Sequence, residues 1–151
     1  PHRVKGIGNM IYPLDKIHAG ALVLVNPLIP LSTAAVFGKL SPPYNQPLPD
    51  INEFDAVQYC SFGNDLERVA TTFVPQIANL LGRLRNTPTC RAAQMSGSGA
   101  SCFGIFDDIN AANTVATAFE AAGIWSKASK LYHSNALTDG VLTQPFPSFG
   151  K

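Results

Sequence analysis

The sequence predicts an α+β sandwich, in which helices cover one face of a mostly antiparallel sheet of about four strands. Apolar runs of strand length alternate along the chain with apolar stripes of helical spacing. Two of the runs, residues 90–94 and 102–106, are close enough to form a hairpin, and a hairpin pairs its strands antiparallel. The chain has 151 residues, of which 46% are hydrophobic, so it suits one domain with a core of its own.

Short apolar segments bounded by turn residues predict the strands: residues 7–14, 21–25, 90–94, 102–106 and 128–133. Residues 21–25 have the sequence ALVLV, and a continuous apolar run of this kind is typical of a strand buried on both faces. We expect residues 1–133 to form the domain. Residues 134–151 turn to Gly, Thr and Pro and predict a C-terminal tail.

Two of the predicted helices have recognisable ends. Ser32 and Thr33 offer an N-cap for a short helix over residues 34–37. A second helix follows Asp108 or Asn110, since apolar residues recur there at helical spacing, and Gly123 ends it.

Prolines shape the chain in two other places. Residues 41–55 contain four prolines, which favours an irregular surface flap. A long apolar stripe over residues 66–84 predicts a helix that Asn64 or Asp65 caps. Because Pro75 lies inside this stripe, we expect either a kink or two consecutive helices.

The hairpin is closed by a loop of small residues that is longer than the two or so residues of a tight turn: Ser96, Gly97, Ser98, Gly99, Ala100 and Ser101. Alternating glycines allow successive backbone N–H groups to point into one concavity, called a nest, which binds phosphate or another anion. The serine hydroxyls add further donors. The alternative is a mobile hairpin loop without a ligand.

This loop does not match three familiar motifs. It has no lysine, which a P-loop requires, and Cys102 stands where a dinucleotide-binding fingerprint needs its third glycine. Gly97 and Gly99 flank Ser98 too closely for a nucleophile elbow.

Charge and metal-ligand spacing exclude other classes of function. The formal net charge is +1, which does not favour nucleic acid or a membrane surface as a partner, and no apolar run approaches the roughly 20 residues of a membrane span. Three cysteines and three histidines show neither metal-ligand nor catalytic spacing, so we expect no metal site and no catalytic residue in this chain. Reduced thiols in a bacterial cytoplasm are the simplest account of the cysteines.

Four segments, taken in order, resemble the C-terminal half of a family of small-molecule kinases: KGIG at 5–8, VNP at 25–27 with LSTAAVF at 31–37, GNDLE at 63–67, and MSGSGASCF at 95–103. The family is that of the 4-diphosphocytidyl-2-C-methyl-D-erythritol kinases, in the galactokinase–homoserine kinase–mevalonate kinase–phosphomevalonate kinase superfamily. The resemblance covers roughly residues 4–133. It implies a ferredoxin-like core, which agrees with the α+β fold predicted above.

The resemblance also implies a reaction. In this family, ATP with Mg²⁺ phosphorylates the 2-hydroxyl of the cytidylated methylerythritol in non-mevalonate isoprenoid biosynthesis, and the active site lies in a cleft between two domains. The family's N-terminal domain supplies the catalytic Lys and Asp and a longer glycine-rich ATP loop, and these motifs do not occur in the sequence. We therefore expect a substrate-side domain that is inactive by itself and binds neither ATP nor Mg²⁺ alone.

Site residues follow from the same resemblance. Residues 96–101 match a motif that lines the cleft near the transferred phosphate, where Gly97 and Gly99 would let the backbone approach the ligand. Phe37 matches an aromatic residue that stacks on the cytosine ring, although it would also suit the core of its short helix. Thr33 is placed to contact the substrate, although capping the helix is the alternative.

Two other functions fit the same segments less well. The chain would also suit the corresponding domain of a homoserine or mevalonate kinase. A ferredoxin-like regulatory module that binds a small molecule is the alternative outside the kinases.

Overall fold

The computed structural model describes residues 2–5, 10–13, 16–18, 20–45 and 53–131. The elements in chain order are β1 (His2–Lys5), β2 (Met10–Pro13), β3 (Lys16–His18), β4 (Ala21–Asn26), α1 (Thr33–Gly38), β5 (Glu53–Asp55), α2 (Ala56–Ser61), α3 (Asp65–Phe73), α4 (Gln76–Arg85), β6 (Cys90–Met95), β7 (Cys102–Phe106), α5 (Ile109–Ala121) and β8 (Trp125–Lys130). Two small pairs, β1 with β2 and β3 with β5, stand apart from the main sheet.

The main sheet has four strands in the order β6-β7-β4-β8, and every neighbouring pair is antiparallel. The chain visits them as strand, helices, hairpin, helix and strand, which is the connectivity of the ferredoxin-like fold. The predicted α+β fold with a mostly antiparallel four-stranded sheet is therefore confirmed.

Helices α4 and α5 form the second layer, with α4 packed on β6 and β7 and α5 packed on β4 and β8. Strand β4 lies in the middle of the sheet, and its side chains alternate between the two faces. Ala21, Val23 and Val25 are fully buried towards the helices, whereas Leu22 and Leu24 are half-buried on the other face. The expectation that this strand is buried on both faces was wrong, because α4 and α5 cover only one of them and leave Leu22 and Leu24 partly exposed on the other.

The helix boundaries follow from side-chain caps. Ser32 Oγ accepts from the Ala35 N–H at 3.3 Å and starts α1. Asp108 Oδ1 accepts from the N–H groups of the second and third residues of α5 at 2.7 and 3.0 Å. The stripe over residues 66–84 forms two consecutive helices, because Pro75 has no N–H to continue α3 and instead begins α4.

Three elements differ from the sequence prediction. β8 begins at Trp125 rather than at residue 128. The apolar pattern missed this start because a polar residue, Ser126, occupies a core position there. The Ser126 hydroxyl donates to the Ala116 carbonyl at 2.7 Å. Strand β5 occupies the end of the proline-rich segment, residues 41–55, that was expected to be irregular, and helix α2, which was not predicted, follows it directly. The strand expected at residues 7–14 is represented by β2, while residues 6–9, 14, 46–52 and the expected tail lie outside the described residues.

Both outer strands of the main sheet carry charged side chains. On β6 the pairing with β7 shifts by one residue between Cys90 and Ala92, which makes a β-bulge. The exposed Arg91 at this bulge pairs with Asp107 at 3.0 Å. On β8, Lys127 pairs with Glu120 of α5 at 2.9 Å.

Candidate functional site

The loop between β6 and β7 is an ordered turn rather than six free residues. The Gly99 N–H donates to the Ser96 carbonyl at 3.0 Å, and the Ser96 N–H donates to the Ser101 carbonyl at 2.9 Å. Gly97 has a φ of +55° while Ser98 has no positive φ. This combination of signs is that of a type II′ hairpin turn, which requires glycine at its first central position.

Side chains from three other parts of the chain hold this turn in place. Thr33 at the start of α1 shares a hydrogen bond of 2.8 Å with the Ser98 hydroxyl. Asn26 at the end of β4 donates to Ser101 Oγ at 2.8 Å. Asn64, the N-cap of α3, donates to the backbone carbonyl of Gly97 at 2.8 Å. A turn that only reversed the chain would not need these bonds, so the structure favours a loop whose position matters.

Asn64 carries out two tasks with one amide group. Its Oδ1 accepts from the Leu66 N–H at 2.9 Å, which caps α3. Its Nδ2 donates to the Met95 carbonyl at 3.0 Å and to the Gly97 carbonyl at 2.8 Å. The sequence predicted the cap but gave no sign of the bonds to the loop, because the loop lies about thirty residues further along the chain.

Several donors of the loop remain available to a ligand. Within the described part of the chain, the successive N–H groups of Gly97 and Ser98 take part in no hydrogen bond. The Ser101 hydroxyl accepts from Asn26 and keeps its own hydrogen, and the Thr33–Ser98 pair uses only one of its two hydroxyl hydrogens. These groups suit an anionic ligand, so they support the predicted nest, which itself stays a prediction.

The two glycines of the loop face different surroundings. A Cβ atom built on Gly97 would meet nothing within 4 Å, so the backbone there is open to a ligand. A Cβ atom on Gly99 would lie 3.0 Å from Met95 Sδ and 3.1 Å from Leu31 Cδ2. The expectation that Gly99 is a glycine in order to admit a ligand is therefore corrected, because its missing side chain makes room for the core.

A cleft of about 500 Å³ opens beside the loop. It is lined by the first loop residues, by the turn before α3 and by apolar and aromatic side chains: Phe37, Leu40, Tyr59, Gly63, Asn64, Asp65, Leu66, Gln94, Met95, Ser96, Gly97 and Phe103. Phe37 is 55% exposed at this cleft, while its neighbour Val36 is fully buried and supplies the core contact of α1. The alternative that Phe37 is an ordinary core residue was therefore wrong.

Thr33 does not cap α1, which was the alternative to a role in binding a substrate. The N-cap of α1 is Ser32, and Thr33 is the first helical residue, with its hydroxyl on Ser98 rather than on the helix backbone. Thr33 and Phe37 are four residues apart and therefore lie on one side of α1, next to the loop and the cleft respectively. A role for either of them in binding a substrate stays a prediction.

The surroundings of the cysteine that follows the loop do not favour a nucleophilic thiolate. Cys102 is fully buried, and this burial raises the pKa of its thiol to about 12. Burial also raises the pKa of Cys60 to about 11.

Among the residues that the structure describes, no three His, Cys, Asp or Glu side chains come together to hold a metal ion. In the same residues, no helix has the length and hydrophobicity to cross a membrane.

A comparison with known protein families identifies the family of this domain. Residues 48–124, which include the Ser-Gly loop, α3, α4 and most of the cleft, match the family described as GHMP kinases C terminal. The chain belongs to the GHMP kinase C-terminal family. The resemblance drawn from the sequence motifs is thereby confirmed at the level of the superfamily.

Two relatives of this GHMP kinase domain carry the same enzyme name. A protein of Roseobacter denitrificans named 4-diphosphocytidyl-2-C-methyl-D-erythritol kinase is 39% identical over 76% of this chain and 40% of its own length. A protein of the same name from Cereibacter sphaeroides is 36% identical over 85% of this chain and 50% of its own length. The chain thus spans about half the length, or less, of the curated relatives it matches.

Solved structures agree with the fold of this domain. A crystal structure of 4-(cytidine 5′-diphospho)-2C-methyl-D-erythritol kinase matches with a TM-score of 0.69 and 24% identity, over 85% of this chain and 48% of the other. A homoserine kinase from Cytophaga hutchinsonii matches with a TM-score of 0.52 and 14% identity, over 82% and 44% of the two chains. At these identities the matches concern the fold.

Proposed function

We propose that this GHMP kinase domain is the substrate-side part of an enzyme that uses ATP to phosphorylate the 2-hydroxyl of 4-diphosphocytidyl-2-C-methyl-D-erythritol, a step of non-mevalonate isoprenoid biosynthesis. The domain comprises residues 1–133 and acts together with an N-terminal ATP-binding half. One observation carries the proposal: an exposed aromatic side chain, Phe37, borders the same cleft as Ser96 and Gly97 of the Ser-Gly loop, whose next residue, Ser98, shares a hydrogen bond with Thr33 of α1. That pairing matches a substrate with a planar base and a diphosphate.

The base and the phosphates meet different groups in this proposal. The face of Phe37 stacks on the cytosine ring, and an aromatic face suits any planar base. The N–H groups of Gly97 and Ser98 and the hydroxyls of Thr33, Ser98 and Ser101 donate to phosphate oxygens. These donors are neutral and fixed by the turn, so they orient the substrate without a large reorganisation.

ATP and Mg²⁺ belong to the other half of the proposed enzyme. Asp65 is the one carboxylate among the residues that line the cleft, and its Oδ1 already accepts from the Asn45 N–H at 2.7 Å. Mg²⁺ prefers several oxygen ligands in octahedral geometry, so the described residues do not fit a magnesium site. The catalytic Lys and Asp likewise come from the N-terminal half, and this chain orients the acceptor. We place the enzyme in the bacterial cytoplasm, with small-molecule substrates and no nucleic-acid partner.

A chimeric enzyme tests the proposal. The C-terminal part of the Roseobacter denitrificans relative is replaced by this chain, and ADP formation is followed with ATP, Mg²⁺ and one of three acceptors: the cytidylated methylerythritol, homoserine or mevalonate. We expect turnover on the order of 1 per second with the cytidylated acceptor alone, and none from this chain by itself. Turnover with homoserine or mevalonate, or ordinary turnover by the isolated chain, would contradict the proposal.

A further inference from the structure

Asn26, at the end of β4, uses both ends of its side-chain amide. One atom of the amide lies 2.6 Å from the backbone nitrogen of Leu28, and the other lies 2.8 Å from Ser101 Oγ. Leu28 has a φ of +57° and is 70% exposed, so packing of the leucine side chain does not hold the turn after β4. Asn26 therefore ties this turn to the Ser-Gly loop, whose Ser101 follows it by 75 residues.

The chemistry of these two bonds fixes the direction of each. A backbone N–H can only donate, so the amide atom that faces Leu28 is the oxygen. The other amide atom is then the nitrogen, which also only donates, so Ser101 Oγ must accept. The Ser101 hydroxyl therefore turns its own hydrogen away from Asn26. Within the described part of the chain, the Ser101 side chain makes no other hydrogen bond, so this hydrogen is available to a ligand.

The hydroxyls of Thr33 and Ser98 have no such fixed direction. They lie 2.8 Å apart and either can donate to the other, so this pair adapts to a ligand that donates as well as to one that accepts. Ser101 has one arrangement only, and it suits an acceptor. An ionised phosphate oxygen is an acceptor only, and a hydroxyl donates a short, strong hydrogen bond to it. A donor that is fixed before the ligand arrives also needs no reorganisation to stabilise the charge.

We propose that Asn26 is a positioning residue for phosphoryl transfer, which holds Ser101 as a donor to a phosphate oxygen; the inference rests on the proposed function. Ser101 is not among the residues that line the cleft beside Phe37, so its hydroxyl serves a phosphate rather than the base. Two phosphates have this chemistry: the diphosphate of the acceptor and the phosphoryl group that leaves ATP. A bond to the first stabilises the bound substrate and lowers KM, whereas a bond that strengthens on the second raises kcat.

The test replaces Asn26 by aspartate in the chimeric enzyme, which reverses one bond without removing either. The carboxylate still accepts from the Leu28 N–H, but its second oxygen cannot donate, so the Ser101 hydroxyl turns its hydrogen towards residue 26. We expect kcat/KM to fall about tenfold or more while the melting temperature is nearly unchanged. A lower kcat at constant KM assigns the bond to the transferred phosphoryl group, and a higher KM at constant kcat assigns it to the diphosphate.

Two controls separate the reversed bond from the added charge. Asn113→Asp, the same change on the exposed surface of α5, should leave kcat and KM as they are. Ser101→Ala removes the hydroxyl, and in that background Asn26→Asp should lower kcat/KM by no more than about twofold, because no hydrogen remains to be reversed. An equal loss with and without the Ser101 hydroxyl means that the charge acts alone, and it overturns the inference.

A second measurement does not depend on the kinase reaction. The side-chain amide signals of Asn26 are assigned in nitrogen-15 spectra of the chain by their loss in Asn26→Asp, and pyrophosphate is titrated into the millimolar range. A shift that saturates, and that Ser101→Ala abolishes, supports the inference even where the chimera rejects the cytidylated acceptor, a result that sinks the proposed function alone. Unmoved signals overturn the inference. An active chimera whose kcat/KM is unchanged by Asn26→Asp overturns it as well and leaves the proposed function standing.

Discussion

Gly97 and Gly99 are both glycines with a positive φ, yet substitution by alanine should affect the stability of the domain very differently at the two positions. Gly97 has a φ of +55° and Gly99 a φ of +90°. A Cβ atom at Gly97 enters open space, whereas at Gly99 it meets Met95 Sδ at 3.0 Å, Leu31 Cδ2 at 3.1 Å and Ile77 Cδ1 at 3.3 Å. Met95 and Ile77 are fully packed core residues, with 1% and 0% exposure, so they have little room to move.

The magnitudes follow from two separate contributions. A left-handed backbone costs a residue with a side chain about 1–2 kcal/mol, and both variants carry this cost. Overpacking a filled core costs about 1–3 kcal/mol more, and only Gly99→Ala carries it. We therefore expect Gly99→Ala to lower the free energy of unfolding by about 2–5 kcal/mol and Gly97→Ala by about 1–2 kcal/mol. For a domain of this size the melting temperatures should fall on the order of 10 °C and 5 °C respectively.

The assay is thermal and urea unfolding of the isolated chain and of both variants, followed by circular dichroism. Equal melting temperatures, or a larger loss in Gly97→Ala, would refute the reasoning that Gly99 faces the core. The chimeric enzyme supplies the second half of the comparison. There, Gly97→Ala places a methyl group beside the cleft and should raise the substrate KM, although it destabilises the fold less than Gly99→Ala does.

Three further predictions concern single side chains. Asn64→Asp keeps the cap of α3 but turns a carboxylate towards two carbonyls, so kcat/KM of the chimera should fall about tenfold or more; Asp108→Asn, a cap exchange far from the loop, should leave it unchanged. Phe37→Ala should weaken acceptor binding by about 1–3 kcal/mol in KM measurements, with ATP binding and melting temperature unaffected; a lower melting temperature with an unchanged KM would count against it. Above about pH 9 the unfolded chain loses thiol protons that folded Cys102 retains, so stability should decline as pH rises towards 11. This decline should be smaller in Cys102→Ala, and equal slopes in pH-dependent melts would contradict it.

The elements that the sequence predicts well are those specified by nearby residues. The stripe interrupted by Pro75 became α3 and α4, and Asp108 caps α5, because caps and prolines act within one helical turn. β8 was placed too late because Ser126 occupies a core position, and only its bond to α5 makes a serine acceptable there. Composition alone does not contain that information.

The site shows the same division between local and distant information. Thr33 and Ser98 are 65 residues apart in sequence, and Asn26 and Ser101 are 75 apart, so no local pattern reveals that they bond. The sequence could have predicted that Gln94 faces away from the core, since it alternates with Ala93 and Met95 in a strand. What the sequence lacked was the cleft above that face, which α1 and α2 help to build.

The two outer strands of the main sheet have a consequence for how the domain behaves in a crowded solution. A flat outer strand with free backbone groups is a template on which another chain can add a strand and begin to aggregate. Here β6 is bent by a bulge that carries the exposed Arg91, and β8 carries Lys127 and Lys130. A growing fibril would have to bury these charges and straighten the bulge, so the described edges protect the domain from strand-by-strand polymerisation.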